Sequence, residues 1–565
     1  MPAVKSGSRP PWLGLAAAVW VQVAAGAGYN FPLYSPALKS VMGYNQQQLT
    51  MLGVANDIGE NFGMLPGVFC NRLPPWLVLL IGAASCFFGY GILWLAVGRT
   101  VVLMPYWALW IALCIATNSS AWLGTAVLVT NMRNFPFSRG TVAGILKGYI
   151  GLSAAVYTLV YIGVLNHSPS KLLLLLTLGL PVVCFTMMYF IRPCTPASED
   201  DSSEHGHFLF TQIASVFLGL YLLTSTLLGS VLALSNTVTY ILFGIMILLL
   251  LSPLAIPLKM TLCRKKMKKS GIPNPSSSSD QPSHFDQDKL EPLLAVSSSA
   301  TNLSSFHESD DSTDVDTLLA EGEGAVQMSK KRKPKRGEDF RFLEALVKAD
   351  FWLLFLCYFL GVGSGVTVLN NLAQIGTAAG VDDTTILLCL FSFCNFVGRL
   401  GGGSVSEYFV RSRMLPRSVW MAFTQMVMAV TYLLFALALN STLYASTAVL
   451  GICYGVQFSV MVPTASELFG LKHFGIIYNF MLLGNPLGAL LLSGIFAGFV
   501  YDKEAEKQGG ATCLGPSCFG LTFLVLAGVC VLGSVLSVIL TVRIRPVYQM
   551  LYSSGSFRLP RSSQQ

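Results

Sequence analysis

Charge is scarce in this sequence. Only 11% of its 565 residues are Asp, Glu, Lys or Arg, and 53% are hydrophobic, whereas soluble domains carry about 25% charged residues. That scarcity excludes an ordinary water-soluble domain and points to an integral membrane protein. The regular apolar–polar alternation of an outer-membrane barrel is also missing, so the spans are expected to be helices. The 13 cysteines show no metal-ligand spacing. Cys86, Cys114, Cys184, Cys389, Cys394, Cys453 and Cys530 lie in apolar stretches and read as small buried hydrophobes. No nucleophile, acid–base pair or metal cluster stands out, so neither an enzyme nor a cofactor is expected. The net charge of +8 does not gather on one soluble face, and nucleic acid is not an expected partner.

What the chain has in abundance is apolar runs long enough to cross a bilayer, which takes about 20 residues each. They fall at roughly 12–38, 46–70, 76–98, 103–131, 139–165 and 171–191, and again at roughly 350–373, 384–405, 417–439, 443–466, 474–500 and 519–543. Two further runs, roughly 209–233 and 237–258, are joined by Ser235-Asn236-Thr237 and read as a hairpin. About fourteen helices are therefore expected, with twelve as the alternative. Lys5 and Arg9 precede a first run that lacks a clear cleavage site, so it reads as a retained helix.

Arg72, Arg133, Arg139, Arg192, Arg411, Arg413, Arg417, Lys472, Arg543 and Arg545 fall in alternate loops, together with 264-RKKMKK-269 and 330-KKRKPKR-336. By the positive-inside rule those loops and both termini are expected to be cytoplasmic. The chain thus divides into an N-terminal membrane region over 12–258, a central loop over 259–344 and a C-terminal six-helix half over 345–550. The loop is rich in Ser, Pro, Asp and Lys and is expected to be disordered. Within it, 290-LEPLL-294 and 314-DVDTLL-319 resemble dileucine signals that sorting adaptors read. Cys513 and Cys518 share a loop on the opposite side, where a disulfide is permitted, and form a candidate pair.

The two halves also share a motif: 67-GVFCNR-72 after the second run is answered by 403-GSVSEY-408 after the eighth of a twelve-helix count. Duplicated helical halves are commonest in secondary transporters, whose sites lie between the repeats near the membrane midplane. Ionisable residues inside spans are costly and mark such sites or structural ion pairs. Asp57, Glu60 and Asn61 share a helix face, Lys147 lies within 140-GTVAGILKGYIG-151, and Arg399 lies within 395-NFVGRLGGG-403. Arg399, whose planar fork suits a carboxylate, and Lys147 are candidate substrate-binding residues. Asp57 and Glu60 are candidates for proton coupling or for pairing with Lys147. Tyr29 and Asn30 at the end of the first helix, and Asn370 and Asn371 at the matching end of the seventh, are further binding candidates where helices break. Asn118, Ser119, Ser120, Asn131, Tyr454 and Gln457 are weaker ones. Gly140, Gly144, Gly148 and Gly151 form a small-residue face for close helix packing, as do Gly484 and Gly488.

The GxxxNR and GxxxEY segments resemble the loop signature GxxxDRxGRR of the major facilitator superfamily. Gly67, Asn71, Arg72, Gly403 and Glu407 are accordingly candidate gating residues. Asn71 and Glu407 stand where Asp is typical, and 73-LPP-75 replaces the later basic residues. The segments 28-GYNFPLYSPALKSVMGYNQQQL-49, 131-NMRNFPFSRGTVAGILKG-148 and 398-GRLGGGSVSEYF-409 look like the plant nodulin-like proteins of the nuclear fusion defective 4 type. That resemblance implies two six-helix bundles with pseudo-twofold symmetry, plus the hairpin. The same segments are similar to monocarboxylate carriers, in which an Arg followed four residues later by Gly binds the carboxylate, the pattern of Arg399 and Gly403. Those carriers often place Asp four residues before the Arg, where this chain has Asn395, so Asp57 or Glu60 would have to carry a proton instead. The expectation is a carrier of a small organic anion such as a monocarboxylate, in the plasma or vacuolar membrane. A non-transporting sensor or scaffold signalling through the central loop is the alternative.

Overall fold

The computed structural model describes residues 11–44, 46–98, 104–194, 202–231, 235–261, 337–381, 385–437, 442–509 and 513–552. Nearly all of the central loop, with its basic ends, acidic middle and dileucine-like motifs, lies outside them.

The described residues are almost entirely helical. In chain order the helices are α1 (Pro11–Met42), α2 (Gln46–Asn61, continued by Met64–Arg72), α3 (Pro75–Val97), α4 (Tyr106–Asn134), α5 (Arg139–Gly163) and α6 (Pro169–Met188). A hairpin of α7 (Ser202–Val231) and α8 (Asn236–Leu250) follows. Then come α9 (Ala349–Asn370), α10 (Thr385–Arg413), α11 (Ser418–Ala436), α12 (Leu443–Phe469), α13 (Phe474–Lys507) and α14 (Ser517–Tyr552). Among the described residues, thirteen helices are long and apolar enough to cross a membrane. The exception is α2, which carries Asp57 and Glu60 and breaks at Phe62-Gly63. Glycine is required at the break: a Cβ on Gly63 would fall 1.7 Å from Asn479 Oδ1. Proline opens α3 at a position where its missing N–H costs nothing. A turn of 3-10 helix, Gly26–Asn30, interrupts α1, close to the break expected around Tyr29.

Helix α5 of the first half packs against α10 of the second along their glycines. A Cβ on Gly403 would stand 2.4 Å from the Gly140 carbonyl oxygen and 2.8 Å from Gly144 Cα. Gly148 and Gly151 continue that face against Phe396. With no hydrophobic drive between helices in lipid, such backbone contact supplies the packing energy. Within the second half, Gly488 of α13 meets Gly363 of α9 in the same way, with 2.3 Å from the added Cβ to Gly363 Cα.

The end of the bundle that carries the loop arginines, here the basic end, is tied by buried charge. Arg417, fully buried, pairs with Glu467 at 2.7 Å and Glu407 at 2.8 Å. Glu407 also accepts from the Gly140 N–H at 2.8 Å, which links the halves. Arg411 donates to the Phe137 carbonyl and to Ser138, and Arg139 to the Ser466 carbonyl. Tyr548 and Tyr552 of α14 donate to Glu467. Both copies of the duplicated motif sit here. Gly67 lies against Gly475, Asn71 accepts from Arg133 at 2.9 Å, and Arg133 reaches the carbonyls of Leu471 and Lys472. Arg72 is exposed.

The hairpin lies along the α5–α10 seam. Gln212 of α7 donates to Ser404 of α10 at 2.7 Å, and Ser215 to Tyr149 of α5 at 2.9 Å. At the other end of the bundle Cys513 and Cys518 are disulfide-bonded, with Cα atoms 5.8 Å apart.

Two outcomes test this packing. Gly403→Val should force α5 from α10 and abolish a monodisperse peak on size-exclusion chromatography, whereas Gly401→Val, with nothing within 4 Å of its Cβ, should elute like the parent. Glu467→Gln removes one partner of a buried pair, a change that costs about 3–5 kcal/mol, and should lower the thermal midpoint in detergent by several degrees. An unchanged midpoint would mean that Glu407 alone satisfies Arg417.

Candidate functional site

A cavity of about 50 Å³ lies between the halves, with room for a few waters or one small ligand. Its walls come from both halves, among them Tyr29 within the 3-10 turn of α1, Glu60 and Asn61 of α2, Lys147 of α5 and Arg399 of α10. The helix periods explain the convergence: Glu60 and Asn61 follow Asp57 on one face of α2, and Lys147 and Arg399 sit one turn or less beyond the glycines that bring α5 and α10 together.

Arg399 is 2% exposed. Its Nε donates to Asn395 Oδ1 at 3.0 Å and its Nη1 to the Lys147 carbonyl at 3.1 Å, and the guanidinium lies 4.5 Å from the centroid of the Phe458 ring. Lys147 is 7% exposed, with Nζ 4.9 Å from the centroid of Tyr478. Among the described residues, no carboxylate lies within 4.0 Å of either cation. The expected alternative of a structural ion pair between Lys147 and Asp57 or Glu60 is therefore absent from this conformation. The Asn395 amide, one backbone oxygen and the Phe458 ring hold Arg399, and the Tyr478 ring faces Lys147, an arrangement in which the ring quadrupoles offset part of the lost hydration. A guanidinium held this way keeps donor capacity for a planar anion.

Glu60 turns toward α1, where a Cβ on Gly28 would come within 3.0 Å of its Oε2 and 3.8 Å of Asn56 Oδ1. Asp57 does not line the cavity; Asn56 donates to it over a long 3.5 Å. Tyr29, on the wall, is partly exposed. Asn30 is buried but is not part of the wall. Nor are Asn370, which is exposed, and Asn371, which donates to Ser493 at 3.0 Å. Asn118 is occupied between helices, donating to the Gly59 and Phe62 carbonyls. On the side facing the basic end, the cavity is floored by Thr125 of α4 and Asn479 of α13, hydrogen-bonded across the halves at 2.9 Å. Below that floor lie the Gly67–Gly475 and Gly140–Gly403 contacts.

Several wall residues escaped the sequence reading: Thr125, Phe458, Tyr478, Asn479 and Asn485. The two asparagines were the legible ones, because a lone amide within an apolar span, as in FGIIYNFML, needs a partner. The aromatic residues carry no such signal in a chain with 35 phenylalanines and 20 tyrosines.

Comparison with known proteins places the chain. Residues 11–258 match the model of the Nodulin-like family, and residues 340–550 match that of the NFD4 C-terminal domain. Protein NUCLEAR FUSION DEFECTIVE 4 of Arabidopsis thaliana is 28% identical over 96% of this chain and 90% of its own length. A protein of Saccharomyces cerevisiae named probable transporter MCH1 is 26% identical over 28% of this chain and 32% of its own length. The solved E. coli fucose:proton symporter FucP covers 93% of this chain and 98% of its own, at 12% identity and a TM-score of 0.47. With an N-terminal region and a C-terminal domain both matched, and with the Arabidopsis relative similar along 96% of the chain, this multi-pass membrane protein belongs to the nodulin-like family of the nuclear fusion defective 4 type.

Proposed function

We propose that the chain is a secondary transporter of a small organic anion, moving its cargo by alternating access between the two halves. The observation that carries this reading is the convergence of Arg399 and Lys147 on one cavity without a paired acid. An unpaired cation is expensive inside a membrane. A carboxylate cargo repays that cost, taking the Arg399 fork while Lys147 adds positive potential. The MCH1 relative, which bears the name of a probable transporter, supports the same class. In this conformation the basic end is closed by the Thr125–Asn479 floor and the contacts beneath it. By the positive-inside rule that end is cytoplasmic, so the cavity faces the other side. Either the plasma or the vacuolar membrane accommodates this arrangement.

Glu60 is the proton-coupling candidate, because it shares the wall with both cations. When ionised it lowers the positive potential felt by an anion, and when protonated it raises it. Cargo and proton thereby favour each other's binding. Asp57, one turn earlier and outside the wall, is a reserve for this role.

Proteoliposomes loaded with a panel of carboxylates test the assignment. Arg399→Ala should lower uptake about 10- to 100-fold, the equivalent of a lost charge-assisted hydrogen bond, and Arg399→Lys should recover little of it because the fork is gone. Uptake equal to the parent in both variants would remove Arg399 from the binding site. A second assay imposes a pH gradient. The parent should accelerate when the cargo side is acid, whereas Glu60→Gln should exchange cargo at equal pH yet ignore the gradient. A gradient response that survives in Glu60→Gln would transfer the role elsewhere.

A further inference from the structure

In and directly behind the first-half wall of the cavity lie polar atoms that have nothing to bond: Ser120 is in the wall, and Gln22 stands behind it. Gln22 of α1 is 0% exposed, and neither its Oε1 nor its Nε2 has a partner. Ser120 of α4, 8% exposed and part of the cavity wall, likewise has an unpartnered hydroxyl. Gln22 falls in the helical series Gln22, Ala25, Tyr29, of which the last two line the cavity. The glycine at 124, also in the wall, leaves the way to Gln22 open: a Cβ there would lie 3.8 Å from Gln22 Oε1 and near nothing else.

Some other buried amides also keep an unpartnered atom, Asn30 at both and Gln457 at Oε1, but several are bonded across helices. Gln425 donates to the Cys357 carbonyl at 2.6 Å and accepts from Ser537. Gln457 donates to Thr424 at 2.8 Å, and Asn479 is bonded to Thr125 and to the Gly475 carbonyl. Those amides fasten helices. Gln22 fastens nothing, although an unsatisfied buried donor or acceptor is costly and native structures satisfy nearly all of them. The two unsatisfied groups also share one side of the cavity, while the cations approach from α5 and α10.

We infer that Gln22 and Ser120 form a hydrogen-bonding subsite, and that the cargo is a hydroxylated carboxylate, held at its carboxylate by Arg399 and at its hydroxyls by the α1–α4 wall. The inference rests on the anion-carrier reading and narrows it. Gln22 offers both a donor and an acceptor and Ser120 a hydroxyl that does either, which matches an alcohol. A site built to bond a hydroxyl rejects the analogue lacking it far more strongly than an apolar pocket rejects an extra one.

The test uses the full-length protein in detergent and reads the concentration of ligand that gives half of the maximal thermal stabilisation. Glycerate and propionate are the probes, because they share a three-carbon skeleton and a carboxylate and differ only in two hydroxyls. The parent should bind glycerate at least tenfold more tightly than propionate. Gln22→Leu and Ser120→Ala should each shrink that preference about tenfold. Gly124→Ala, whose new methyl meets only Gln22 at ordinary contact distance, should shrink it too and keeps the test alive if Gln22→Leu fails to fold. Equal binding of the two acids by the parent would overturn this inference while leaving the anion reading standing, as would a preference unchanged in Ser120→Ala and Gly124→Ala, with ordered water then satisfying the orphans. Binding of neither acid would overturn both.

Discussion

A guanidinium buried in a membrane protein with no carboxylate against it is the constraint around which the centre of this molecule is arranged. Arg399 can sit there because Asn395 and the Lys147 carbonyl take two of its donors and the Phe458 ring lies beside it. The Lys147 carbonyl is within reach only because α5 and α10 touch backbone to backbone. The glycines at 140, 144 and 403 therefore serve the site as well as the packing: a bulkier seam would move the carbonyl away and expose the cation to lipid. Position 399 and the small-residue stripe are two aspects of one geometry.

The charged cluster at the basic end obeys opposite rules. There Arg417 is saturated by two carboxylates and both acids are bonded again, Glu467 by two tyrosines and Glu407 by a backbone N–H and Arg411. Every charge is spent on structure, so nothing remains for a ligand. A few turns away in the bundle, cations are left without acids. One helix, α10, contributes to both sets: Glu407 to the satisfied charges at the basic end and Arg399 to the unsatisfied ones beside the cavity.

Much of this was legible in the sequence. The spans follow from apolar run length, and the small-residue face of α5 from its spaced glycines, because both depend on local composition; that this face meets Gly403 of α10 does not. Arg399, Lys147 and Glu60 were visible because charge in an apolar run is conspicuous. The sequence left open whether Lys147 meets an acid, since that depends on how α2 sits against α5 across the bundle and not on spacing within either. Asn370 and Asn371 resemble Tyr29 and Asn30 by position in the duplicated halves, yet α9 ends without turning them inward. Pseudo-symmetry relates backbones more faithfully than side-chain directions. The break in α2 was not legible, and the residue packed against it, Asn479, lies more than 400 residues further along the chain.

The hairpin raises a different issue. Helix α7 is fastened to α10 through Gln212 and to α5 through Ser215, and so it straddles the joint between the halves. A two-body rocker has one hinge line, whereas a strap bolted to both bodies must stretch, slip or release a bolt whenever the angle changes. For the alternating access proposed above, part of the barrier to each cycle would then reside on the lipid-facing perimeter, far from the cavity, and the thickness and stiffness of the surrounding bilayer would become determinants of speed.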